Sequence, residues 1–176
     1  VITDFISSTS VTISDTTENI KSLLTNTSSS VIAAKQYINS IKSTSGSDKI
    51  QLTWEEYVGA LSENFDSTNP STWLTRSTVA FQNLNNIELI VAGTSSEIQA
   101  IIDTYGASLT NFPSGLTFNV LDGGAIELNQ QQLDKLDARI DGVITILDTS
   151  DNVSTLLNNA IPTNVQQITS SNNQIS

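Results

Sequence analysis

The side chains best suited to acid–base chemistry in this chain are carboxylates, because histidine and cysteine are both absent. Glu55 and Glu56 are adjacent, and Glu63 and Asp66 follow closely. General acid–base catalysis needs convergent groups with shifted pKa values in a cleft, whereas adjacent glutamates at the start of a helix normally form a solvated face. The Ser-His-Asp arrangement is excluded without histidine. We therefore predict that the protein is not an enzyme and has no catalytic residue.

Aspartates in or beside turns are the second group with chemical potential, and the chemistry would be calcium binding. They are Asp15, Asp48, Asp122, Asp141 and Asp148. Calcium takes about six to eight oxygen ligands, usually from carboxylates close together in sequence, and the chain has no D-x-D-x-D-G loop. Asp15 and Asp148 instead fit helix caps, and Asp122 fits a turn. We predict no metal or cofactor, with calcium as the alternative left open.

The stretch 63–83, ENFDSTNPSTWLTRSTVAFQN, is where recognition of a partner is expected. It carries Trp73, Arg76 and Phe81 close to an Asn69-Pro70 turn signal. Aromatic and arginine side chains on loops are typical contact residues. We predict these three as partner-binding residues. The alternative is that Trp73 fills the core beneath its own loop.

A repeated phrase indicates the elements that position these residues. Val11–Leu24 reads VTISDTTENIKSLL, Val143–Leu157 reads VITILDTSDNVSTLL, and a weaker copy at Leu89–Ile102 reads LIVAGTSSEIQAII. In each copy a short β-branched stretch predicts a strand. After a turn, apolar residues follow at the i, i+3, i+4 spacing of one helix face.

A second phrase repeats as KIQLTWEEYVGAL at Lys49–Leu61 and AIELNQQQLDKL at Ala125–Leu136. Both phrases place a capping-box sequence between strand and helix. The boxes are Asp15/Glu18, Thr53/Glu56, Thr94/Glu97 and Asn129/Gln132, with Asp148/Asp151 as a shorter relative. Each cap is worth about 1 kcal/mol. We predict that every copy builds the same strand-to-helix corner.

Two intervening stretches carry weaker signals. Val31–Ile41 fits a helix, or a helix followed by a strand. The alternating Leu116, Phe118 and Val120 precede Asp122-Gly123-Gly124, which predicts a tight hairpin.

The spacing of the phrases predicts the domain organisation. The positions of Asp15 and Gly93 differ by 78, those of Ile50 and Ile126 by 76, and those of Gly93 and Asp148 by 55. We predict residues 1–10 as the tail of a preceding unit, 11–87 as repeat 1 with an insertion at 63–83, 88–142 as repeat 2 and 143–176 as a partial repeat 3. Strand–helix units bury their apolar faces only by stacking. The predicted fold class is therefore α/β, an elongated array of stacked strand–cap–helix repeat units.

Charge and composition restrict the partners. The chain of 176 residues has 18 acidic and 7 basic residues, a net charge of −11, and an isoelectric point near 4.1. Such a surface repels nucleic acid and anionic lipid, and no apolar run is long enough to span a bilayer. We predict no nucleic-acid partner and no membrane insertion. The chain begins with Val and contains no Met, so we interpret it as processed or as a segment of a longer protein.

The phrases at Val11–Leu24, Lys49–Leu61, Ala125–Leu136 and Val143–Leu157 resemble tandem repeats of large secreted bacterial surface proteins, of the S-layer, adhesin and type I-secreted RTX-like sort. The glycine-rich nonapeptide of RTX blocks is absent. The resemblance implies an acidic, extracellular repeat protein at the bacterial cell surface. Its role would be structural: a spacer or self-assembly scaffold in an S-layer, sheath, filament or adhesin stalk. Its partners would be copies of itself or neighbouring repeats, and the alternative is a glycan- or protein-binding module that uses 63–83.

Overall fold

A computed structural model describes residues 11–26, 28–35, 37–45, 49–61, 87–105 and 116–172. The fold is mixed α/β with parallel strands, which confirms the α/β part of the predicted class. Trp73, Arg76 and Phe81 lie outside the described residues. So do the rest of the predicted insertion at 63–83 and the first ten residues. The chain divides into two units, Val1–Val91 with Pro113–Gly115, and Ala92–Phe112 with Leu116–Ser176.

The first unit contains two strand-to-helix corners. Its elements in chain order are β1 (Val11–Asp15), α1 (Thr17–Thr25), α2 (Ser29–Lys35), β2 (Ile38–Ser43), β3 (Lys49–Leu52), α3 (Trp54–Leu61) and the start of β4 (Glu88–Gly93). β1 runs parallel to β2, with Asp15 opposite Ser43. β3 runs parallel to β4, with Leu52 opposite Val91. The helix-then-strand alternative for Val31–Ile41 is therefore confirmed.

The second unit contains three further corners. Its elements are the end of β4, α4 (Ser95–Tyr105), β5 (Thr117–Val120), β6 (Ala125–Leu128), α5 (Gln130–Leu136), a 3-10 turn (Asp137–Arg139), β7 (Ile140–Asp141), β8 (Val143–Asp148), α6 (Ser150–Leu157) and β9 (Val165–Ser170). β5 pairs with β7, and β8 lies between β6 and β9. All of these pairs are parallel.

The predicted periodicities account for the core of both units. Alternate strand residues are buried in β3 and β6, because each of these strands turns one face toward a helix layer. On the helices, the buried apolar residues follow the spacing of one face, as with Ile98, Ile101 and Ile102 on α4. Matching corners at Val11–Leu24 and Val143–Leu157 are confirmed as strand, cap and helix.

The hairpin predicted at Asp122-Gly123-Gly124 is wrong. β5 pairs with β7 while β6 pairs with β8, so this turn joins strands of two different sheets. Gly123 has a φ of 68°, a left-handed conformation that favours glycine and redirects the chain. The residues signal a sharp turn correctly. They do not reveal that both flanking strands find parallel partners further along the chain.

Candidate functional site

The polar residues singled out by the sequence lie mainly at one kind of place, the carboxyl end of a strand where the next helix begins. We call each such place a corner. Three corners have the predicted reciprocal capping box. At the start of α3, Glu56 Oε2 accepts from Thr53 N at 2.9 Å and Thr53 Oγ1 accepts from Glu56 N at 3.1 Å. Equivalent pairs of bonds join Thr94 with Glu97, and Asn129 with Gln132.

The caps predicted at Asp15 and Asp148 are wrong by one residue. Thr149 is the cap of α6, with φ −67° and ψ 158°, and its hydroxyl accepts from Asn152 N. Thr16 does the same for α1. Each aspartate lies just before the cap, and its Oδ1 accepts from the threonine amide and from the asparagine side chain. For Asp148 these distances are 2.7 and 2.8 Å.

A second set of bonds links four of the five corners to a strand that follows in the chain. The first amide of the helix, which has no partner inside the helix, donates to a distant side chain at four corners. The bonds are Thr17 N to Ser45 Oγ (3.1 Å), Ser95 N to Asp122 Oδ1 (2.9 Å), Gln130 N to Asp148 Oδ2 (2.8 Å) and Ser150 N to Asn172 Oδ1 (3.0 Å). Donor and acceptor lie between 18 and 28 residues apart. We call these interactions cross-strand caps.

Backbone bonds place three of the four acceptors. The parallel ladder continues one residue past β2, β5 and β9, because Thr44, Leu121 and Ser171 donate to carbonyls at 2.7, 2.9 and 2.7 Å. The next residue in each case is the acceptor of the cross-strand cap, Ser45, Asp122 or Asn172. Small oxygen-bearing side chains are needed there because they must reach a backbone amide across one strand spacing.

Hydrogen bonding from amides explains the acidity of the corner carboxylates. The amides of Ser95 and Gly124 hold the pKa of Asp122 below its usual value. The pKa of Glu97 is lowered chiefly by the amide of Thr94, although the nearby charge of Asp122 opposes the change. Burial raises the pKa of Asp148, but hydrogen bonds led by the Gln130 amide outweigh that effect and lower it. These groups are therefore anions bound at the positive ends of the protein's own helices.

This arrangement determines what the candidate carboxylates contact. Asp15, Asp122 and Asp148 each accept at least two N–H donors. Glu56 bonds to Thr53 and to Lys21, whose Nζ lies 2.8 Å from Glu56 Oε2. Within the described ranges, no three His, Cys, Asp or Glu side chains are grouped so as to hold a metal ion. Asp48 lies outside these ranges.

A buried lysine closes the other end of α1. Lys35 is 3% exposed, and its Nζ donates to the carbonyls of Leu24 at 2.6 Å and Asn26 at 2.9 Å. Burial lowers the pKa of Lys35. The cation satisfies carbonyls that the helix leaves unpaired, and it complements the negative end of the helix dipole.

Sequence reasoning missed both Lys35 and the cross-strand caps. A capping box is visible in sequence because its partners are three residues apart. The acceptors of the cross-strand caps are visible only once the strand pairing and register are known. One sequence signal was present, since Ser45, Asp122 and Asn172 each stand in a turn just after a β-rich stretch.

No family model, curated protein or solved structure matches the chain. In the part of the chain that the structure describes, no helix has the length and apolar character required to cross a membrane.

Proposed function

We propose that this protein is a structural, non-enzymatic segment of an extracellular bacterial surface protein, such as an S-layer, sheath, filament or adhesin stalk. It acts as a spacer and assembly scaffold, and its strand–cap–helix units stack into an elongated array. The observation that carries this proposal is the cross-strand cap, which joins the helix start to a later strand at four corners.

Recurrent cross-strand caps suit a stacked scaffold for a physical reason. A strand–helix unit exposes an apolar face and unpaired strand edges, and both are covered when the next unit is added. The cap adds a directional bond between a corner and a later strand, since the first amide of the helix is satisfied only when that strand is in register. The bond from Gln130 to Asp148 joins predicted repeat 2 to predicted repeat 3. Such a device favours ordered stacking over random collapse. The corner carboxylates that take part accept hydrogen bonds from the protein's own backbone amides.

Charge and composition agree with exposure at a cell surface. A net charge of −11 keeps stacked units from associating non-specifically. The absence of cysteine and methionine removes the two side chains most readily oxidised outside the cell. The partners in this proposal are neighbouring repeats or copies of the same chain.

Antibody labelling of the source cells tests the proposed location. An antibody raised against the purified chain should label intact cells as strongly as permeabilised cells. Labelling that requires permeabilisation would contradict an extracellular role. Protease treatment of intact cells, followed by detection of the remaining protein, is an independent check of the same point.

Recognition of a glycan or protein through 63–83 stays a prediction, because Trp73, Arg76 and Phe81 lie outside the described residues. Replacing all three with alanine distinguishes the two functions. A scaffold keeps its assembly, measured by sedimentation, and loses no binding to glycan arrays or to isolated cell walls. A recognition module loses binding while its assembly is unchanged. Alanine at Ser67, Ser71 and Ser77 is the matched control within the same stretch.

A further inference from the structure

The strand pair β1–β2 is a structural copy of β8–β9. Asp15 is opposite Ser43, and Asp148 is opposite Ser170. Both pairs contain the same one-residue register shift at their starts, between Val11 and Thr12 and between Ile144 and Thr145. Residues of β1 can therefore be compared with residues of β8 position by position.

The two copies differ in the number of neighbouring strands. β8 lies between β9 and β6, while β1 has β2 as its partner and no second neighbour among the described strands. β4 repeats the pattern of β8, since it pairs with β3 in the first unit. Both β3 and β6 belong to the second repeated phrase, and each continues into a capped helix. The outer edge of β1 is thus the edge where β4 and β8 receive a strand of that phrase.

The hydrogen bonds of Asp15 and Asp148 differ in the same way as their strands. Its Oδ1 accepts from Thr16 N and Asn19 Nδ2, both at 2.8 Å. Oδ1 of Asp148 has the equivalent two donors. However, Oδ2 of Asp148 also accepts from the amide of Gln130, the first helical residue after β6. Oδ2 of Asp15 has no such donor among the described residues, so β1 presents an acceptor that is already held in position.

Burial of the neighbouring apolar residues points the same way. Ile144 is 0% exposed and Ile146 is 1% exposed. Their counterparts on β1, Val11 and Ile13, are only half-buried. A strand added to the outer edge of β1 would cover these two side chains and pair the backbone groups of that edge, which face no other strand among the described residues.

The edge of β6 that faces away from β8 is paired by a side chain and not by a strand. The side-chain amide of Gln99 pairs with the backbone of Glu127 on β6, accepting from its N–H at 2.7 Å and donating to its carbonyl at 3.1 Å. This amide takes the place of a neighbouring strand. No comparable side chain closes the edge of β1 within the described residues.

We propose that the outer edge of β1 is a docking site for a strand–cap–helix segment from a neighbouring repeat of the same polypeptide. The segment is of the Lys49–Leu61 or Ala125–Leu136 type, runs parallel to β1, and donates its first helical amide to Oδ2 of Asp15. It supplies alternating apolar residues that cover Val11 and Ile13. This inference rests on the proposed scaffold function and names the partner that the scaffold receives at this edge.

The test supplies the proposed segment. A copy of residues 121–142 is joined ahead of Val1, so that the chain's own first ten residues serve as the link. Hydrogen exchange of the β1 amides is compared between the natural and the extended chain by mass spectrometry. We expect at least a tenfold slower exchange of β1 in the extended chain, because a paired edge strand exchanges only when it opens.

The variant D15N tests the role of the carboxylate. An asparagine oxygen can still accept from the Thr16 amide, but its NH2 group cannot accept from the docked helix. In the extended chain, D15N should lose about tenfold of the added protection, as expected for a lost hydrogen bond to a charged group. The matched control is D141N at the original position, since Asp141 is exposed. The melting temperature of D15N without the extension shows whether the fold itself is intact.

Three results would overturn the proposal. They are unchanged exchange of β1 after the extension, equal protection with and without D15N, and concentration-dependent protection of β1 in the natural chain, which would identify a second copy as the occupant. Cell-surface labelling does not depend on this edge. A negative exchange result together with positive surface labelling would therefore reject the docking site and leave the scaffold function standing.

Discussion

Replacing Asp148 with alanine tests the interlocking of strands most sharply, because this carboxylate connects three elements. At the start of α6 it accepts hydrogen bonds from the Thr149 amide and the Asn152 side chain. It also accepts a bond at 2.8 Å from the amide of Gln130, the first residue of α5. Loss of a helix cap costs about 1 kcal/mol, and a hydrogen bond to a charged group is worth about 1.5 to 3 kcal/mol. The α6 contacts are solvent-exposed, so we discount them.

The expected total is a loss of about 2 kcal/mol in the free energy of unfolding. For a chain of this size, that loss lowers the melting temperature by about 4 to 8 °C. Urea titration followed by circular dichroism measures the change directly. The control is D141A, which removes the same charge from an exposed residue on β7 and should change stability by less than about 0.5 kcal/mol.

The same variant also predicts the direction in which the stability difference changes with pH. Since the pKa of Asp148 is lowered in the folded state relative to 3.8, its contribution is complete above the unfolded pKa and is lost as pH falls through the folded pKa. The stability difference between the wild type and D148A should therefore be full at pH 7 and shrink below about pH 4. Equal stability of D148A and D141A at pH 7, or a difference that grows in acid, would refute the reasoning.

The other predictions concern single features of the corners. T53A removes the hydroxyl of a reciprocal capping box and should cost about 1 kcal/mol, measured by urea titration. K35M leaves two carbonyls at the end of α1 without their donor and should cost about 1 to 2 kcal/mol, with faster exchange of the α1 amides. G142A should destabilise, because a Cβ there would lie 2.7 Å from Val120 Cγ2. G59A should stabilise α3 by about 0.5 to 1 kcal/mol, because no described residue lies within 4 Å of its Cβ position.

Each of these predictions has an outcome that contradicts it. A fully stable T53A would mean that Glu56 alone caps α3. Unchanged exchange of α1 in K35M would show that water satisfies the two carbonyls. If the melting temperature rises equally in G142A and G59A, the close approach between Gly142 and Val120 is not present in solution.

Local features were predictable from the sequence where both partners lie within one turn of a helix. The capping boxes at Thr53, Thr94 and Asn129 were identified for this reason. The D-T-x-x-N sequence before α1 and α6 misled, because two adjacent residues can both cap. At the second of these sites Thr149 caps α6, and Asp148 instead accepts a hydrogen bond from the Gln130 amide. That bond joins residues far apart in sequence, so a local capping rule cannot predict it.

Strand pairing was beyond the sequence for a similar reason. The Asp122-Gly123-Gly124 turn is locally indistinguishable from a hairpin, and only the later strands β7 and β8 reveal that both flanking strands pair elsewhere. The cross-strand caps follow from that pairing. The buried role of Lys35 was also hidden, since its partners are the backbone carbonyls of a different helix.

The arrangement of the three equivalent corners is the most direct test of the stacked scaffold. Because the chain has no cysteine, cysteines introduced in pairs at the matching positions Ser14, Ala92 and Leu147 would be the only sites that react with a nitroxide label. Electron paramagnetic resonance then measures the three distances between the labelled positions. Units stacked in chain order predict that the distance from Ser14 to Leu147 approaches the sum of the other two. Three similar distances, as in a closed triangular arrangement, would contradict the scaffold.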